Sequence, residues 1–243
     1  AGAATRQGVH VPDQSSYEEP VAIVSGAAGA LGRAIVAALR ERGIRVVAVD
    51  RTVDDADEPD PGLKWESADV TDAAGVDELF ERTMREHGRL DVVVHTVGAF
   101  RSGAIVDAAE DDWQLLLDVN LTGAWWISRA AARVMQAAGH GSIVHISARN
   151  GIEALPGAAA YGVTKAALVH LTRVLDSELR RSGVRVNAVV PGVIDTPANR
   201  AVLSPETMQR AVAPEAIAKV IAFLVSDEAA PVSGAVIPVY GTA

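Results

Sequence analysis

Short apolar runs alternate along the chain with longer segments in which apolar residues recur at helical spacing. The apolar runs are VAIVSG at 21–26, RVVAVD at 45–50, DVVVHTVG at 91–98, GSIVHIS at 141–147 and VRVNAVVPG at 184–192. Helical spacing predicts helices at about 30–42, 72–87, 107–138, 157–182 and 214–226. Apolar strands that alternate with helices indicate a parallel sheet covered on both faces. With right-handed crossovers, the pattern predicts an α/β, doubly wound fold of the Rossmann type, which binds ligands at the carboxyl ends of its strands.

Two segments depart from this alternation. Residues 1–20, AGAATRQGVHVPDQSSYEEP, are polar and lack hydrophobic periodicity. They are expected to form a flexible tail before a single domain over 21–243. The segment RTVDDADEPDPG at 51–62 is acidic and contains proline, which is typical of a surface loop.

Composition narrows the possible functions. The chain has 243 residues, of which 49% are hydrophobic, enough for one domain with a sizeable core. Its net charge is −9 with basic residues interspersed, so nucleic acid is not an expected partner. Cysteine is absent and the six histidines lack metal-ligand spacing, so neither disulfides nor a metal site are expected. No apolar run reaches the ~18 residues of a membrane span, and we expect a soluble, cytoplasmic protein.

A glycine-rich turn follows the first predicted strand. The strand ends at Ser25, and Gly26, Gly29 and Gly32 lead into a helix that begins near Ala30. Small residues there allow a pyrophosphate to approach the positive end of the helix. Such glycines also occur in ordinary tight turns, so the context of strand, turn and helix matters more than their number.

Asp50 closes the next predicted strand and bears on the choice of nucleotide. A carboxylate there can accept hydrogen bonds from both hydroxyls of an adenine ribose and would repel a 2′-phosphate. No basic residue lies in 27–31 to offset that repulsion, which favours NAD over NADP. Arg51 could turn toward a phosphate, which leaves NADP as the alternative.

Tyr161 and Lys165 lie four residues apart in a predicted helix and therefore share a face. The pKa of a phenol is ordinarily ~10, and a nearby ammonium group or an oxidised nicotinamide would lower it. Tyr161 could then exchange a proton with the oxygen of a carbonyl or an alcohol. A tyrosine and a lysine at this spacing also occur on ordinary amphipathic helices, so the pair alone does not identify a site.

From Val21 to the C-terminus, the chain resembles the short-chain dehydrogenase/reductase family. The similar motifs are SGAAGALG at 25–32, ADVTD at 68–72, DVNLTGAW at 118–125, YGVTK at 161–165, PGVIDT at 191–196 and VSGAVIPVYG at 232–241. The resemblance implies a single-domain Rossmann fold with seven parallel strands, helices on both faces and a nicotinamide cofactor. It assigns cofactor contacts to Gly26, Gly29, Leu31, Gly32, Asp50, Arg51, Asp69, Val70, Thr96, Val97, Gly98, Tyr161, Lys165, Pro191, Gly192, Ile194 and Thr196.

The resemblance also assigns catalytic roles. Tyr161 is the expected acid–base, and Lys165 is expected to lower its pKa and to hold the nicotinamide ribose. The backbone around Asn120 is expected to hold a water molecule that relays protons to the lysine.

The second catalytic hydroxyl of the family is a serine thirteen residues before the tyrosine, and Ala148 occupies that position here. The neighbouring Ser147 points to the opposite face of a strand, so it could take the catalytic place only if the strand end bends or bulges. Loss of one such donor typically costs ~2.7–4 kcal/mol, or ~10²–10³ in rate. We therefore expect an impaired enzyme, or one adapted to a quinone or phenolic ketone whose carbonyl is already polarised.

The chain departs from the family's pattern in two further places, HTVG at 95–98 and the segment between Thr196 and Pro214. Gly98 preserves a close approach to the cofactor, and His95 is expected to pack in the core. In the family, the segment before Pro214 covers the substrate. This segment is short here, which predicts an open pocket for a bulky molecule.

Substrate contacts are expected near the carboxyl edge of the sheet. At least one of Arg101 and Arg149 is predicted to lie close to the substrate cavity. The predicted contacts are Phe100, Arg101, Ala148, Arg149, Leu155 and Tyr161, with Asn150, Glu153 and Pro156 nearby.

The resemblance also implies an assembly. In the family, the helix of TGAWWISRAAARVM and the helix of YGVTKAALVHLTRVLDSEL form a four-helix bundle with a neighbouring subunit. Trp125 and Trp126 lie in the first of these helices, and aromatic residues are enriched at interfaces. We expect a homotetramer or, failing that, a homodimer.

Two functions of different classes remain open from the sequence. The leading one is an NAD(H)-dependent oxidoreductase that interconverts a carbonyl and an alcohol on a bulky cyclic ketone, quinone or phenolic small molecule. The alternative is a non-redox protein of the same fold that retains nucleotide binding: a cyclase, an isomerase, a dehydratase or a partner of a reductase.

Overall fold

The computed structural model describes residues 19–53 and 60–241, which form one parallel sheet flanked by helices. The predicted tail, apart from Glu19 and Pro20, lies outside the described residues, as do residues 54–59 of the predicted acidic loop. The strands are β1 (Val21–Ser25), β2 (Arg45–Asp50), β3 (Leu63–Ser67), β4 (Val92–His95), β5 (Gly141–Ile146), β6 (Val184–Pro191) and β7 (Val236–Val239). Their order is β3-β2-β1-β4-β5-β6-β7, and each neighbouring pair is parallel. The predicted fold class is confirmed.

Six of the eight helices in the described residues lie in the predicted segments, with shifts of a few residues at their ends, whereas α6 and α7 form where no helix was predicted. They are α1 (Ala30–Arg40), α2 (Ala73–His87), α3 (Glu110–Leu117), α4 (Gly123–Ala138), α5 (Ala159–Leu179), α6 (Pro197–Val202), α7 (Pro205–Met208) and α8 (Pro214–Leu224). Gly88 and Gly139 end α2 and α4 in the left-handed conformation. None of the described helices is long and apolar enough to cross a lipid bilayer.

The segment predicted as one helix over 107–138 is interrupted. A π-helical turn, Asp118–Thr122, joins α3 to α4, and its one extra residue per turn shifts the phase of the helix. Apolar residues on either side of that turn keep helical spacing within their own segments, so periodicity predicted a continuous helix. Strand β3, LKWES, was not among the apolar runs because it lies at the sheet edge, where every residue is at least partly exposed.

Two apolar layers hold the sheet between the helices. Val21 and Ile23 of β1 face a cluster with α2, α4 and α5, while Ala22 and Val24 face the opposite cluster with α1 and α8. Alternate side chains of a strand point to opposite faces, so a strand buried on both sides must be apolar throughout. This explains why β1 appears in the sequence as an unbroken apolar run.

The chain order reverses next to β1. The path leads from β1 outward to β3 and then returns across the sheet to β4, on the other side of β1. The carboxyl ends of β1 and β4 therefore flank the crevice in which doubly wound sheets bind their ligands. The residues after these strands, and those after β5 and β6, surround the candidate site.

Candidate active site

Two adjoining spaces open at the carboxyl edge of the sheet. A groove of about 590 Å³ runs from the turn after β1, past the end of β2, to Lys165. A cavity of about 690 Å³ lies beside it, under α6 and α7. Phe100, Tyr161 and Ile194 line both spaces. These three residues therefore mark the junction at which a molecule in the groove would meet a molecule in the cavity.

The turn between β1 and α1, residues 26–29, carries no side chain larger than a methyl group, so its backbone can approach a ligand closely. Gly26 has φ of 77°, and a Cβ there would collide with Thr96 Oγ1. A Cβ at Gly32 would collide with the carbonyl oxygen of Gly26. No side chain caps the N-terminus of α1, so its first peptide N–H groups are available to a ligand. This combination suits the pyrophosphate of a dinucleotide.

Asp50 lies at the end of β2 and lines the groove. Its Oδ2 accepts a hydrogen bond from the Ala28 peptide nitrogen at 3.1 Å, and its Oδ1 accepts one from the Arg51 peptide nitrogen at 2.8 Å. These bonds hold the carboxylate beside the glycine turn. Each oxygen has a second lone pair with which to accept a hydrogen bond from a ligand hydroxyl.

Tyr161 and Lys165 lie in the first two turns of α5. Burial lowers the pKa of Lys165 to about 8, and its Nζ donates to the Ile146 carbonyl oxygen at 3.0 Å. Burial raises the pKa of Tyr161 to about 12. The ring of Phe100 packs edge-on against the ring of Tyr161, with 4.9 Å between centroids.

Without a cofactor, the pKa of Tyr161 is therefore raised, whereas the sequence predicted that it would be lowered. The prediction placed the Lys165 ammonium as the dominant influence, but removal of the phenol from water dominates instead. At neutral pH the phenol therefore keeps its proton and is ready to donate it. Proton removal from an alcohol would need an additional positive charge, of the kind that an oxidised nicotinamide carries.

Asn120 lies fully buried in the π-helical turn. Its Oδ1 accepts from the Ala99 peptide nitrogen at 2.7 Å, and its Nδ2 donates to the Ala99 carbonyl at 3.1 Å and to Thr164 Oγ1 at 3.1 Å. A Cβ at Gly98 would lie 3.1 Å from Lys165 Nζ and 3.2 Å from Asn120 Oδ1. Asn120 thus fastens the loop after β4 to α5, beside the lysine.

Ser147 and Ala148 follow the last residue of β5. The Ser147 hydroxyl is buried and donates to the main-chain oxygen of Lys165 at 2.9 Å. Ala148 lines the cavity together with Tyr161. The hydroxyl is therefore bound to α5, which argues against its acting in place of a side chain at 148.

Comparison with known proteins places this geometry in a family. The family model described as enoyl-(acyl carrier protein) reductase matches residues 26–241. The chain is 34% identical to the 3-oxoacyl-[acyl-carrier-protein] reductase FabG of Thermotoga maritima, over 92% of this chain and 97% of that protein. The chain belongs to the short-chain dehydrogenase/reductase family. Its relatives are named as dehydrogenases and reductases, and the chain is accordingly a dehydrogenase/reductase by family.

Other relatives extend the comparison. Cis-4-hydroxycyclohexanecarboxylate dehydrogenase of Sinomonas cyclohexanicum is 35% identical, over 93% of this chain and 97% of that protein. A solved short-chain dehydrogenase/reductase from Burkholderia xenovorans is 32% identical, with a TM-score of 0.84 over 93% of this chain and 96% of that one. A structure of ElxO with NADP bound has a TM-score of 0.86 over 90% of this chain and 96% of that one. At 24% identity, ElxO shows the common fold alone.

Most of the predicted cofactor residues of this short-chain dehydrogenase/reductase line the groove. Pro191 and Gly192 line the cavity instead, since β6 ends beneath it. Thr196 lines neither space, and its side chain accepts from Asn199 N at 3.2 Å to cap α6. The predicted residues in the groove are Gly26, Gly29, Leu31, Gly32, Asp50, Arg51, Asp69, Val70, Thr96, Val97, Gly98, Tyr161, Lys165 and Ile194.

The predicted substrate residues divide between the two spaces. Arg149 lines the cavity, whereas Arg101 lines the groove and pairs with Asp112 at 3.0 Å. The prediction that one of the two arginines lies beside the substrate cavity is thus consistent with the geometry. The predicted residues that line the cavity are Phe100, Ala148, Arg149, Asn150, Leu155 and Tyr161.

Seven lining residues of the cavity were not predicted: Val193 and Tyr240 lie inside the family motifs but were given no role, and the other five lie between Thr196 and Pro214. The segment predicted as a brief lid forms α6 and α7, which place side chains over the cavity. Tyr240, at the end of the chain, reaches the same cavity by way of β7. The residues missed are Val193, Asn199, Leu203, Glu206, Thr207, Arg210 and Tyr240.

His95 is buried at the end of β4, and its Nδ1 is 2.8 Å from Ser25 Oγ. Burial holds its pKa well below the ordinary value, so the ring is neutral at neutral pH. It lines neither the groove nor the cavity. Its position agrees with the expected packing role.

Proposed function

We propose that this chain is an NAD(H)-dependent oxidoreductase that interconverts a carbonyl and an alcohol on a bulky cyclic ketone, quinone or phenolic substrate. The position of Tyr161 carries the proposal, because its side chain lines both the nucleotide groove and the cavity. A reacting oxygen in the cavity and a nicotinamide in the groove would meet at that phenol. The bound cofactor would supply or accept the hydride.

The residues near the junction would transfer the proton and position the cofactor. Tyr161 holds its proton at neutral pH and would donate it to the carbonyl oxygen as negative charge develops there. Lys165, anchored on the Ile146 carbonyl, would contact the nicotinamide ribose and supply positive charge behind the phenol. Asn120 holds the loop after β4 in place and would position a water molecule for proton relay.

The cavity supports a ring-shaped substrate. Its volume of about 690 Å³ falls within the usual range of ~300–1,000 Å³ for small-molecule sites. Phe100, Leu155 and Leu203 provide apolar walls near Tyr161. A relative that is 35% identical is named for the dehydrogenation of a hydroxylated cyclohexane ring, a substrate of this kind.

Ala148 leaves the cavity wall without the hydroxyl that the family motif has at that position. A carbonyl bound there would receive a hydrogen bond from Tyr161 but none from residue 148. We propose that the physiological substrate is a quinone or phenolic ketone, whose carbonyl needs the second donor least. The same observation supports the second candidate, a cyclase, isomerase or dehydratase that uses Tyr161 as an acid without hydride transfer.

For the cofactor, the proposal is NAD with NADP as the alternative. Support comes from Asp50, whose carboxylate is held beside the glycine turn by two peptide nitrogens. A 2′-phosphate at that position would face a fixed negative charge. Arg51 also lines the groove and is the residue that would hold the phosphate if NADP were preferred.

For the assembly, we propose a homotetramer or, failing that, a homodimer built on α4 and α5. Trp125 on α4 and Val163 on α5 are more than half exposed in the single chain. Trp126 differs, because it packs against the core with the Arg129 guanidinium 4.5 Å from its ring. The exposed pair would be covered by the same helices of a second subunit.

A panel of substrates tests the leading function. The protein is incubated with NADH and cyclic ketones, quinones and phenolic ketones while the absorbance of reduced nicotinamide is followed. We expect turnover that is fastest with the quinones and phenolic ketones and that Tyr161→Phe abolishes. Tight NADH binding without oxidation of NADH by any compound would reject the redox function and favour the second candidate.

A further inference from the structure

One arginine of the cavity, Arg149, is held in position by contacts with two other side chains. Arg149 Nε donates to Glu153 Oε2 at 2.7 Å, one helical turn along the chain. Its guanidinium carbon also lies 5.0 Å from the ring centroid of Tyr240, which comes from the far end of the chain. A cation stacked on an aromatic face and paired at one edge has lost most of its freedom before a ligand binds. This preorganisation is not expected of a solvated surface arginine.

The guanidinium still has donors to offer. Among the described residues, Nε is the only nitrogen of Arg149 that makes a hydrogen bond, and a guanidinium carries five N–H groups. Glu153, which accepts from Nε, is not among the residues that line the cavity. The Glu153 hydrogen bond also raises the pKa of Arg149, which keeps the group charged.

The charges that line the cavity favour an anion. Arg149 and Arg210 are the cations of the lining, and Glu206 is its carboxylate, which leaves an excess of one positive charge. Glu206 and Arg210 are exposed residues of the lid segment, whereas Arg149 follows Ala148 and its side chain is 42% exposed. Its two contacts fix the position of a positive charge that solvent and a ligand can still reach.

Arg149 lines the cavity but not the nucleotide groove, whereas Tyr161 lines both. An arginine at the reacting oxygen would be expected at the junction of the two spaces. Its place away from the junction suits a part of the substrate remote from the carbonyl that reacts. Phe100 and Leu155 line the same cavity and offer apolar contacts to the body of that substrate.

We propose that Arg149 is a specificity residue that binds a carboxylate on the substrate, at the end of the molecule opposite the carbonyl that Tyr161 protonates. This rests on the proposed function for the identity of the reacting group, but not for the anion site itself. Glu153 and Tyr240 act as positioning residues that hold the guanidinium, and Arg149 donates to the carboxylate from its Nη nitrogens.

The test measures binding, so it does not depend on turnover. Cyclohexanecarboxylate and cyclohexanecarboxamide are titrated into the full chain by calorimetry, with and without NADH. The two probes have nearly the same shape and differ in charge. We expect the carboxylate to bind at least tenfold more tightly to the wild-type protein. Equal binding of the two probes overturns the proposal.

Substitutions of Arg149 test whether its charge binds the carboxylate or only supports the fold. Arg149→Gln is expected to abolish the preference for the carboxylate, and Arg149→Lys to retain part of it. Arg200→Gln is the matched control, since Arg200 is also ion-paired, to Asp195, but lies outside the cavity lining. Persistence of the preference in Arg149→Gln would overturn the proposal, with circular dichroism confirming that the variant is folded.

Glu153→Gln distinguishes a binding role for Arg149 from a merely structural ion pair. The glutamine oxygen can still accept from Arg149 Nε and hold the guanidinium, so the preference for cyclohexanecarboxylate is expected to persist. A purely structural ion pair would give the same loss in Glu153→Gln and Arg149→Gln, and that result counts against the proposal. If the carboxylate preference is present but no compound oxidises NADH, the redox function fails and the anion site stands.

Discussion

The Ser147 hydroxyl donates a hydrogen bond to the main-chain oxygen of Lys165 at 2.9 Å, while the side chain of the next residue, Ala148, faces the cavity. Residue 148 is therefore the position from which a hydroxyl would reach a substrate carbonyl next to Tyr161. In the proposed function a donor would act from this position, but an alanine side chain carries none, and the Ser147 hydroxyl is bound to α5.

The change Ala148→Ser is expected to increase the reduction of simple, unactivated ketones by up to ~10²–10³-fold in kcat/KM. The added hydroxyl would donate to the carbonyl oxygen as charge develops on it. Quinones and phenolic ketones should gain less, because their carbonyls are already polarised. Steady-state kinetics with cyclohexanone and a quinone measure the difference.

Ala138→Ser, at the exposed end of α4, serves as the matched control for that change and should leave both rates unaltered. An Ala148→Ser variant that binds NADH but reduces no ketone faster than the wild type would speak against hydride transfer as the reaction of this protein.

The reduction of ketones is expected to lose kcat/KM as pH rises above about 8, where Lys165 gives up its proton. Burial places the pKa of this lysine below its ordinary value, so the positive charge behind Tyr161 is present below that pH and is lost above it. The pH dependence of kcat/KM reports groups of the free enzyme and is the appropriate measurement. A flat profile between pH 7 and about 9.5 would contradict this assignment.

NADH is expected to bind at least tenfold more tightly than NADPH, a difference of ~1.4 kcal/mol. The physical reason is the Asp50 carboxylate, and Asp50→Asn should reduce the preference because it removes the charge at nearly constant shape. Fluorescence titration of both nucleotides measures it. Equal or tighter binding of NADPH would overturn the choice of NAD, and Arg51→Gln would then test Arg51 as the phosphate ligand.

In light scattering at micromolar concentration, the protein is expected to have the mass of a tetramer or a dimer. Trp125→Glu should lower that mass, because it places a charge on the exposed face of α4. Val202→Glu, at another exposed apolar position on α6, should not change it. A monomeric wild-type protein would refute the proposed assembly.

The free energy of unfolding is expected to fall as pH decreases from about 6.5 toward 4. Burial lowers the pKa of His145 from 6.5 to about 4, so in this interval the unfolded chain binds a proton that the folded protein excludes. His145 therefore contributes its full stabilisation above pH 6.5, and this contribution is lost as the pH falls toward about 4. Denaturant unfolding at several pH values measures the slope.

His145→Gln should make that dependence shallower, whereas His170→Gln, on an exposed part of α5, should leave it unchanged. The remaining slope would include His95, whose pKa burial also lowers. Equal slopes in the wild type and His145→Gln would show that the imidazole does not contribute.

Local patterns in the sequence were sufficient for five of the seven described strands, the glycine turn and the pairing of Tyr161 with Lys165 on one helix face. Each depends on residues close together in the chain, where spacing determines which side chains share a face. Burial of β1 on both sides requires its unbroken apolar run, so the strand could be predicted without knowing its neighbours. Edge strand β3 gave no such signal because it is only partly covered.

The tertiary structure decided the features that join distant parts of the chain. The direction of Ser147 depends on where α5 packs, and Lys165 reaches the Ile146 carbonyl only because that helix crosses the end of β5. Arg149 stacks on Tyr240, a residue brought back to the site by β7 at the edge of the sheet. Such contacts follow from how elements pack in space, and hydrophobic periodicity specifies which face of an element is buried, not what it meets.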